Sequence, residues 1–374
     1  MRTRWGLVAL LFVTGLLAAM QFIKVSLTLD ALVATYDRPL QVVSGLVSLV
    51  SVMGIVLGVV AGAVVARLGT RQIILGALAL GALLSAAQAL LPPFPALVGL
   101  RALEGISHLA LVVAIPPTMA AISSDRDRPV VMSIWAMFFG VAFALSAIVI
   151  PPLMDTGGLP LIFLLHAAGL AVCGAALIFL LPPGVRSPQE INFFRAHRVI
   201  YSSPRVAAPA IGFVFYTILF LAAVTFIPRT LDRPDLAVSL PLVSLVGTLG
   251  AGFLCRRYAP DRVAIIGFAG ILISAIPLFF GAVWAAWPLF LAMGLPPGAS
   301  FAAIPHWNAG ERDRALATGA IAQMGNVGTG LGTPIFAFAM VWAGSAGLWW
   351  LLIWFSGIGI LAVVLMRMAI QRSR

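Results

Sequence analysis

Long apolar runs alternate with short polar gaps over the whole 374-residue chain. Twelve runs lie at roughly 5–27, 42–66, 72–92, 95–121, 130–153, 158–182, 207–228, 237–255, 262–284, 286–305, 315–341 and 345–368. A helix rises about 1.5 Å per residue and the hydrocarbon layer is about 30 Å thick, so about 20 apolar residues make one crossing. The pattern predicts twelve transmembrane helices. Glycine and proline inside the runs do not argue against helix, because neighbouring helices re-satisfy the backbone groups they free.

The polar gaps repeat. Asp125-Arg126-Asp127-Arg128 returns 186 positions later as Glu311-Arg312-Asp313-Arg314, and at the same offset Arg71 falls on Arg257. Gaps in register predict a duplicated six-helix unit. The expected fold is all-α and integral to a membrane, with an N-terminal bundle at 1–183, a cytoplasmic linker at 184–206 and a C-terminal bundle at 207–374. In the linker, Phe193-Phe194 with flanking arginines suits a short amphipathic helix lying on the leaflet. Such a tether lets two bundles rock against each other, although a passive connector would read the same way.

Composition removes most other classes. With 61% hydrophobic and 9% charged residues, the chain has too little polar side chain to cover a water-soluble globule. The net charge of +11 invites a nucleic-acid partner until the arginines are placed. Assigning gaps alternately to two sides puts 18 of the 23 basic residues on one side. This is the positive-inside pattern, so both termini are expected in the cytoplasm, basic side chains meet anionic lipid, and no nucleic acid is called for. Arg2 and Arg4 before an apolar stretch imitate a secretory signal, but the stretch runs on through Phe22, which predicts an uncleaved first helix. Cys173 and Cys255 have no metal-ligand or disulfide-framework spacing, and no metal or other cofactor is expected.

Candidate chemistry concentrates on the fourth run. Arg101, Glu104 and His108 at i, i+3 and i+7 share one stripe about 60° wide. Each ionisable group in hydrocarbon costs on the order of 2.5–3.5 kcal/mol, so the three must pair or face water. In one reading Arg101–Glu104 is a structural pair and His108 bonds to backbone. In the other, Arg101 fixes an anionic group or controls the proton affinity of Glu104, and Glu104 or His108 carries a coupling proton. Gln21, Lys24 and Thr28 repeat the spacing on the first run, where Lys24 joins that site or snorkels outward to Asp30. Gln323 and Asn326 on the eleventh run and Tyr216 and Thr217 on the seventh are further substrate-binding candidates, with helix fastening the better reading for Thr217. His166 and His306 are assigned no chemistry. The ladders Gly54-Gly58-Gly62 and Gly328-Gly332 allow close helix approach, and Pro296-Pro297 predicts a kink that bares carbonyls at cavity depth.

Between the second and third runs stand Gly62, Ala66-Arg67, Gly69 and Arg71, and the fourth run carries Arg101 followed by Gly105. On these residues the chain resembles the major facilitator superfamily of secondary transporters, with alanine at 66 where the family has an acidic residue. The glycine-proline motif of antiporters is poor in the fifth run: Gly140 is present, but the prolines are displaced to Pro151-Pro152. The resemblance implies two bundles around a central cavity lined by the first and fourth helices of each half. It also implies a cytoplasmic gate at Gly62, Arg67, Gly69 and Arg71. The two ladders would then face each other across the halves as a sliding surface. Arg126, Arg128, Arg312 and Arg314 of the two tetrads read as charge latches or as solvated loops.

The chain also looks similar to small bacterial facilitators such as cyanate-type permeases. The expected activity is proton-coupled secondary transport of a small anion or carboxylate-bearing metabolite. The alternatives are proton-driven efflux of an amphipathic compound and a non-transporting sensor of the same fold. An integral membrane enzyme would need acids, histidines or metal ligands clustered at a boundary, whereas the acids here alternate with arginines.

Overall fold

The computed structural model describes residues 2–183 and 193–372, and among them every regular element is helical. In chain order these are α1 (Trp5–Ser26), α2 (Leu29–Tyr36), α3 (Leu40–Leu68), α4 (Thr70–Ala89), α5 (Phe94–Ala121), α6 (Arg128–Ala136) and α7 (Phe138–Leu180). They continue with α8 (Phe193–Ser202), α9 (Pro204–Thr230), α10 (Leu236–Leu254), α11 (Pro260–Phe279), α12 (Ala286–Met293), α13 (Leu295–Trp307), α14 (Glu311–Ala343) and α15 (Ser345–Arg372). Eleven stretches among the described residues are long and apolar enough to cross a membrane. Large apolar side chains stand outward on them, Phe179 at 86% and Val341 at 84% exposure, so the outer surface is made for lipid rather than water.

Three local features depart from the run pattern. The gap after the first run holds a further helix, α2, which ends at Asp37 in left-handed backbone (φ 48°). The fifth run breaks between α6 and α7 near Met137, while α7 continues for 43 residues through what the sequence reads as a gap. Gly158 (φ 60°, ψ −159°) lies inside α7 in a region open essentially to glycine alone, and the helix bends there. The tenth run splits at Gly294 into α12 and α13. Pro296 and Pro297 cannot continue α12, since each lacks an N–H and its ring collides with the carbonyl four residues back; both fit the first turn of a new helix. These prolines are buried, and a Cβ on Gly267 of α11 would lie 2.6 Å from Pro296. The break is therefore packed against a neighbouring helix, and the cavity at the centre of the molecule takes only Phe301 from α13.

Three apolar clusters result among the described residues. One gathers Leu11, Ile23, Leu111, Ile115 and Trp135 with Ala317 and Ile321 of α14, a second Leu219, Phe268, Phe290, Phe336 and Leu352, and a smaller third Leu32, Leu46, Leu97 and Phe163. The N-terminal and C-terminal parts of the chain meet where α3 packs along α14, and again where α6 packs on α10 and α13 and α7 packs on α10. A Cβ on Gly58 would stand 2.8 Å from the Cα of Gln323, and one on Gly62 would stand 2.7 Å from the carbonyl oxygen of Ala315. The second ladder behaves differently from the expectation. Gly328 and Gly332 face α9 of their own half, with a Cβ on Gly332 2.6 Å from the Ile218 carbonyl oxygen. Of the two ladders only the α3 one belongs to the seam, and its partner surface is Ala315, Gly319, Gln323 and Asn326, the last packed against Gly54.

Candidate functional site

α1, α4, α5 and α7 converge on a polar cluster inside the first half. Lys24 Nζ donates to Glu104 Oε1 at 2.6 Å and to Ser85 Oγ at 2.9 Å, and lies 3.1 Å from His166 Nδ1. An ammonium has three N–H groups, and here it meets three partners. His166 Nε2 is 2.9 Å from the Leu17 carbonyl oxygen, a contact that requires a proton on Nε2 and leaves Nδ1 to accept from Lys24. The other carboxylate oxygen of Glu104 accepts from Arg101 Nη1 and from Gln88 Nε2, at 2.5 and 2.7 Å. Arg101 also donates to the carbonyl oxygens of Leu46 and Gln21, at 3.1 and 2.7 Å. Lys24, Ser85, Gln88, Arg101 and Glu104 are all fully buried. Arg101 Nη2, Gln21 Oε1 and Gln88 Oε1 are buried without a hydrogen-bond partner.

This geometry overturns the outward reading of Lys24. Its side chain has no exposure and lies 5.1 Å from the Phe163 ring, while Asp30 is exposed. Acceptors from three helices hold the ammonium inward. His166, assigned no chemistry from the sequence, is a member of the cluster, and Ser85 and Gln88 were not singled out. A signal for them existed: Ser85 and Gln88 stand three residues apart in an apolar run, and His166 is alone in another. Isolated polar residues in membrane helices face the bundle interior. Gln21 is buried beside the cluster with Nε2 donating to Ser107 Oγ at 3.0 Å, and Thr28 Oγ1 bonds to the carbonyl of Lys24.

A separate cavity of about 100 Å³ lies between the halves. Phe22, Phe138 and Phe139 line it from the first half, and Phe213, Tyr216, Phe220 and Phe301 from the second. Its polar lining is His108, Thr217, Asn326 and Thr329, and no charged side chain is among the lining residues. His108 bonds through Nδ1 to the Ala18 carbonyl oxygen at 2.9 Å and stands edge-on to Phe22 with centroids 4.8 Å apart. Of the sequence candidates, His108, Tyr216 and Asn326 line the cavity; Lys24, Arg101, Glu104 and Gln21 do not. Thr217 lines it too, although its hydroxyl bonds to its own helix at Phe213 and Val214. Asn326 Nδ2 donates to the Ala322 carbonyl oxygen at 2.7 Å.

Gln323 lies on the seam instead of the cavity. Its Nε2 donates to the Ile55 carbonyl oxygen of α3 at 2.8 Å, its Oε1 accepts from Tyr201 Oη at 2.6 Å, and His197 Nε2 is 3.1 Å away. Tyr201 and His197 sit on α8, so one side chain links both halves and the connecting helix. Burial pushes the Tyr201 hydroxyl up to about 12, which keeps it a donor.

The gating candidates are at the arginine-bearing end. Gly69 turns the chain between α3 and α4 with φ 89°, and Arg71 Nη2 donates to the Ile178 carbonyl oxygen at 2.6 Å. Arg67 and Arg126 are exposed. Arg128 pairs with Asp125 of its own tetrad at 2.8 Å, and Arg314 Nε donates to the Asn308 carbonyl oxygen at 2.8 Å. These bonds are local and do not bridge the two tetrads. The side chains of Glu311 and Arg312 lie outside the described residues. Thr3 Oγ1 donates to Asp127 at 2.6 Å, and this bond, with one from Ser124, holds the Asp127 carboxyl below its ordinary range.

The described residues thus form a multi-pass helical bundle with an inner cavity and a buried ion cluster. The Major Facilitator Superfamily model matches residues 7–309, and the chain belongs to that family. It is a membrane transporter of this family and not an enzyme. No curated protein matches the chain by sequence. Among solved structures it resembles the human organic anion transporter MFSD10, with 16% identity, 96% of this chain and 98% of that one covered, and a TM-score of 0.76. It resembles the proton:xylose symporter XylE bound to 6-bromo-6-deoxy-D-glucose, with 14% identity, 98% and 95% covered, and a TM-score of 0.79. The E. coli fucose:proton symporter FucP is similar at 16% identity, 96% and 98% covered, and a TM-score of 0.71. At these identities the likeness establishes the fold alone.

Proposed function

We propose that the chain is a proton-coupled secondary transporter of an amphipathic, ring-bearing compound, working by alternating access. The carrying observation is the separation of charge from cavity: seven aromatic side chains and no charged one line the space between the halves. Offset and edge-to-face ring contacts favour a planar apolar solute, while His108, Thr217 and Asn326 offer hydrogen bonds. The preference for a small anion rested on Lys24 and Arg101 facing that space, and both are buried elsewhere with partners in place. The buried cluster is the natural coupling element, since α1 and α5 carry it and also present Phe22 and His108 to the cavity. Symporters among the structural neighbours agree with proton coupling.

The same reading takes α7 as two crossings. Its 43 residues span about 64 Å at 1.5 Å per residue, twice the hydrocarbon thickness, and Gly158 marks the turn. Twelve crossings then put both termini on the arginine-bearing side, taken as cytoplasmic. The six-helix halves and the connecting segment at 184–206 follow, as do gating roles for Gly62, Gly69 and Arg71 at that end.

Purified protein in vesicles with an imposed pH gradient tests this reading, with ethidium as the ring-bearing probe and lactate as the small carboxylate. Gradient-driven movement of ethidium, with little of lactate, is expected. Arg101→Ala is expected to impair both alike. Preferential lactate transport, lost selectively in Arg101→Ala, would restore the anion reading.

A further inference from the structure

The buried cluster contains one cation too many. Lys24 and Arg101 are positive and Glu104 negative, all three fully buried, so the cluster carries a net charge of +1 inside an apolar bundle. Among the described residues, the charged or titratable groups around Lys24 are Arg101, Glu104 and His108 on α5 and His166 on α7; α4 contributes the uncharged Ser85 and Gln88, α3 the Leu46 carbonyl to Arg101, and Asp30 of α2 is exposed. Protonating Glu104 or His166 would raise the charge to +2 and set unshielded cations side by side. Loss of a proton from Lys24 alone lowers it to zero and leaves a paired Arg101–Glu104. Uncompensated charge in a dry interior is what such sites shed.

The chain's choice of basic residues agrees. Of 23 basic side chains, 22 are arginine, and the one lysine is Lys24. Guanidinium does not deprotonate in proteins, whereas a buried lysine amine readily does. A cation whose only task was to staple helices could have been arginine, as Arg101 is.

Resting on the proton-coupled reading above, the geometry points to Lys24, not Glu104, as the group that binds and releases the coupling proton. In the step, one Nζ–H bond breaks and the proton passes to water reaching the opened cluster. The lone pair stays on Nζ, and Glu104 remains an anion throughout as the fixed partner of Arg101. Release changes the charge on α1 two residues from Phe22 and opposite Glu104, which lies one turn from His108 on α5. The two cavity-lining helices thereby respond together.

A single lysine makes the test specific. Protein labelled with ¹⁵N-lysine gives one Nζ resonance, read in nanodiscs against pH beside gradient-driven ethidium flux in vesicles. The expected result is an ammonium-to-amine transition within the pH window over which flux falls away. Infrared difference spectra over that window should show no carboxylic-acid band that Glu104→Gln removes. Lys24→Arg, which cannot release a proton, is expected to lower gradient-driven accumulation roughly tenfold or more. A Lys24 resonance that stays ammonium while flux changes, or a carboxylic-acid band assigned to Glu104, overturns the proposal. Wild-type flux indifferent to the gradient would overturn the coupling reading itself, a failure told apart by its presence without any mutation.

Discussion

The interiors of the two halves are built from different chemistry at matched positions. Carried forward by 186 residues, Glu104 and His166 fall at Phe290 and Leu352, both fully buried in the second apolar core. The first half holds an ion cluster bonded across five helices, α1, α3, α4, α5 and α7. The second centres on aromatic and aliphatic packing with backbones in close approach, where a Cβ on Gly298 would meet the Thr248 carbonyl oxygen at 2.7 Å. Apolar packing of that kind costs nothing to desolvate and holds one arrangement. A buried ion cluster costs several kcal/mol per ion before its bonds offset the loss, so well-packed apolar residues would often serve stability as well. That among the described residues only one half carries such a cluster points to a switch in that half and a template in the other.

The sharpest way to break this contrast is Glu104→Gln, which leaves two buried cations facing each other. It is expected to destabilise the protein by about 3–5 kcal/mol, as removal of one partner from a buried pair does, and to abolish uphill transport. Thermal unfolding in detergent beside gradient-driven accumulation checks both; unchanged accumulation would remove the cluster from coupling. Next in size is the seam. Gly58→Leu places a side chain against the Gln323 backbone and should cost about 1–3 kcal/mol while holding α3 and α14 apart. Altered accessibility of a cysteine introduced into the cavity would report the changed balance of states, and wild-type accessibility with normal flux would show the contact to be passive.

The smallest effect belongs to the surface at the arginine-bearing end. Asp127 is held below its ordinary carboxylate range by Thr3 and Ser124, so its contribution is present above that range and is lost as pH falls through the native value. Thr3→Ala should weaken this, with the variant's deficit visible near neutrality and vanishing in acid. Comparison of melting temperatures at the two pH extremes measures it, and a deficit that persists in acid would contradict the assignment.

The helices were legible because lipid demands long apolar runs, and the tetrads in register led to the expectation of two halves. The bend at Gly158 was not, since the local pattern there reads as a gap. The stripe Arg101, Glu104, His108 identified the right helix, but spacing fixes a face and not its neighbours. His108 reaches the cavity one turn beyond Glu104, which turns into the bundle toward Lys24, Gln88 and Arg101. His166 lies 142 positions from Lys24, and only the folded bundle brings them within 3.1 Å. Gln323 looked like a cavity residue beside Asn326, yet three positions along α14 turn it onto the seam with α3 and α8.

On the proposed reading, charge in the first half moves protons while an uncharged cavity holds the solute. Vesicles containing the protein and an internal pH-sensitive dye, challenged with ethidium, test it most directly. Ethidium should evoke proton movement with the wild type and none with Glu104→Gln, while lactate evokes none with either. Ethidium flux without proton movement, or proton movement evoked by lactate alone, would contradict it.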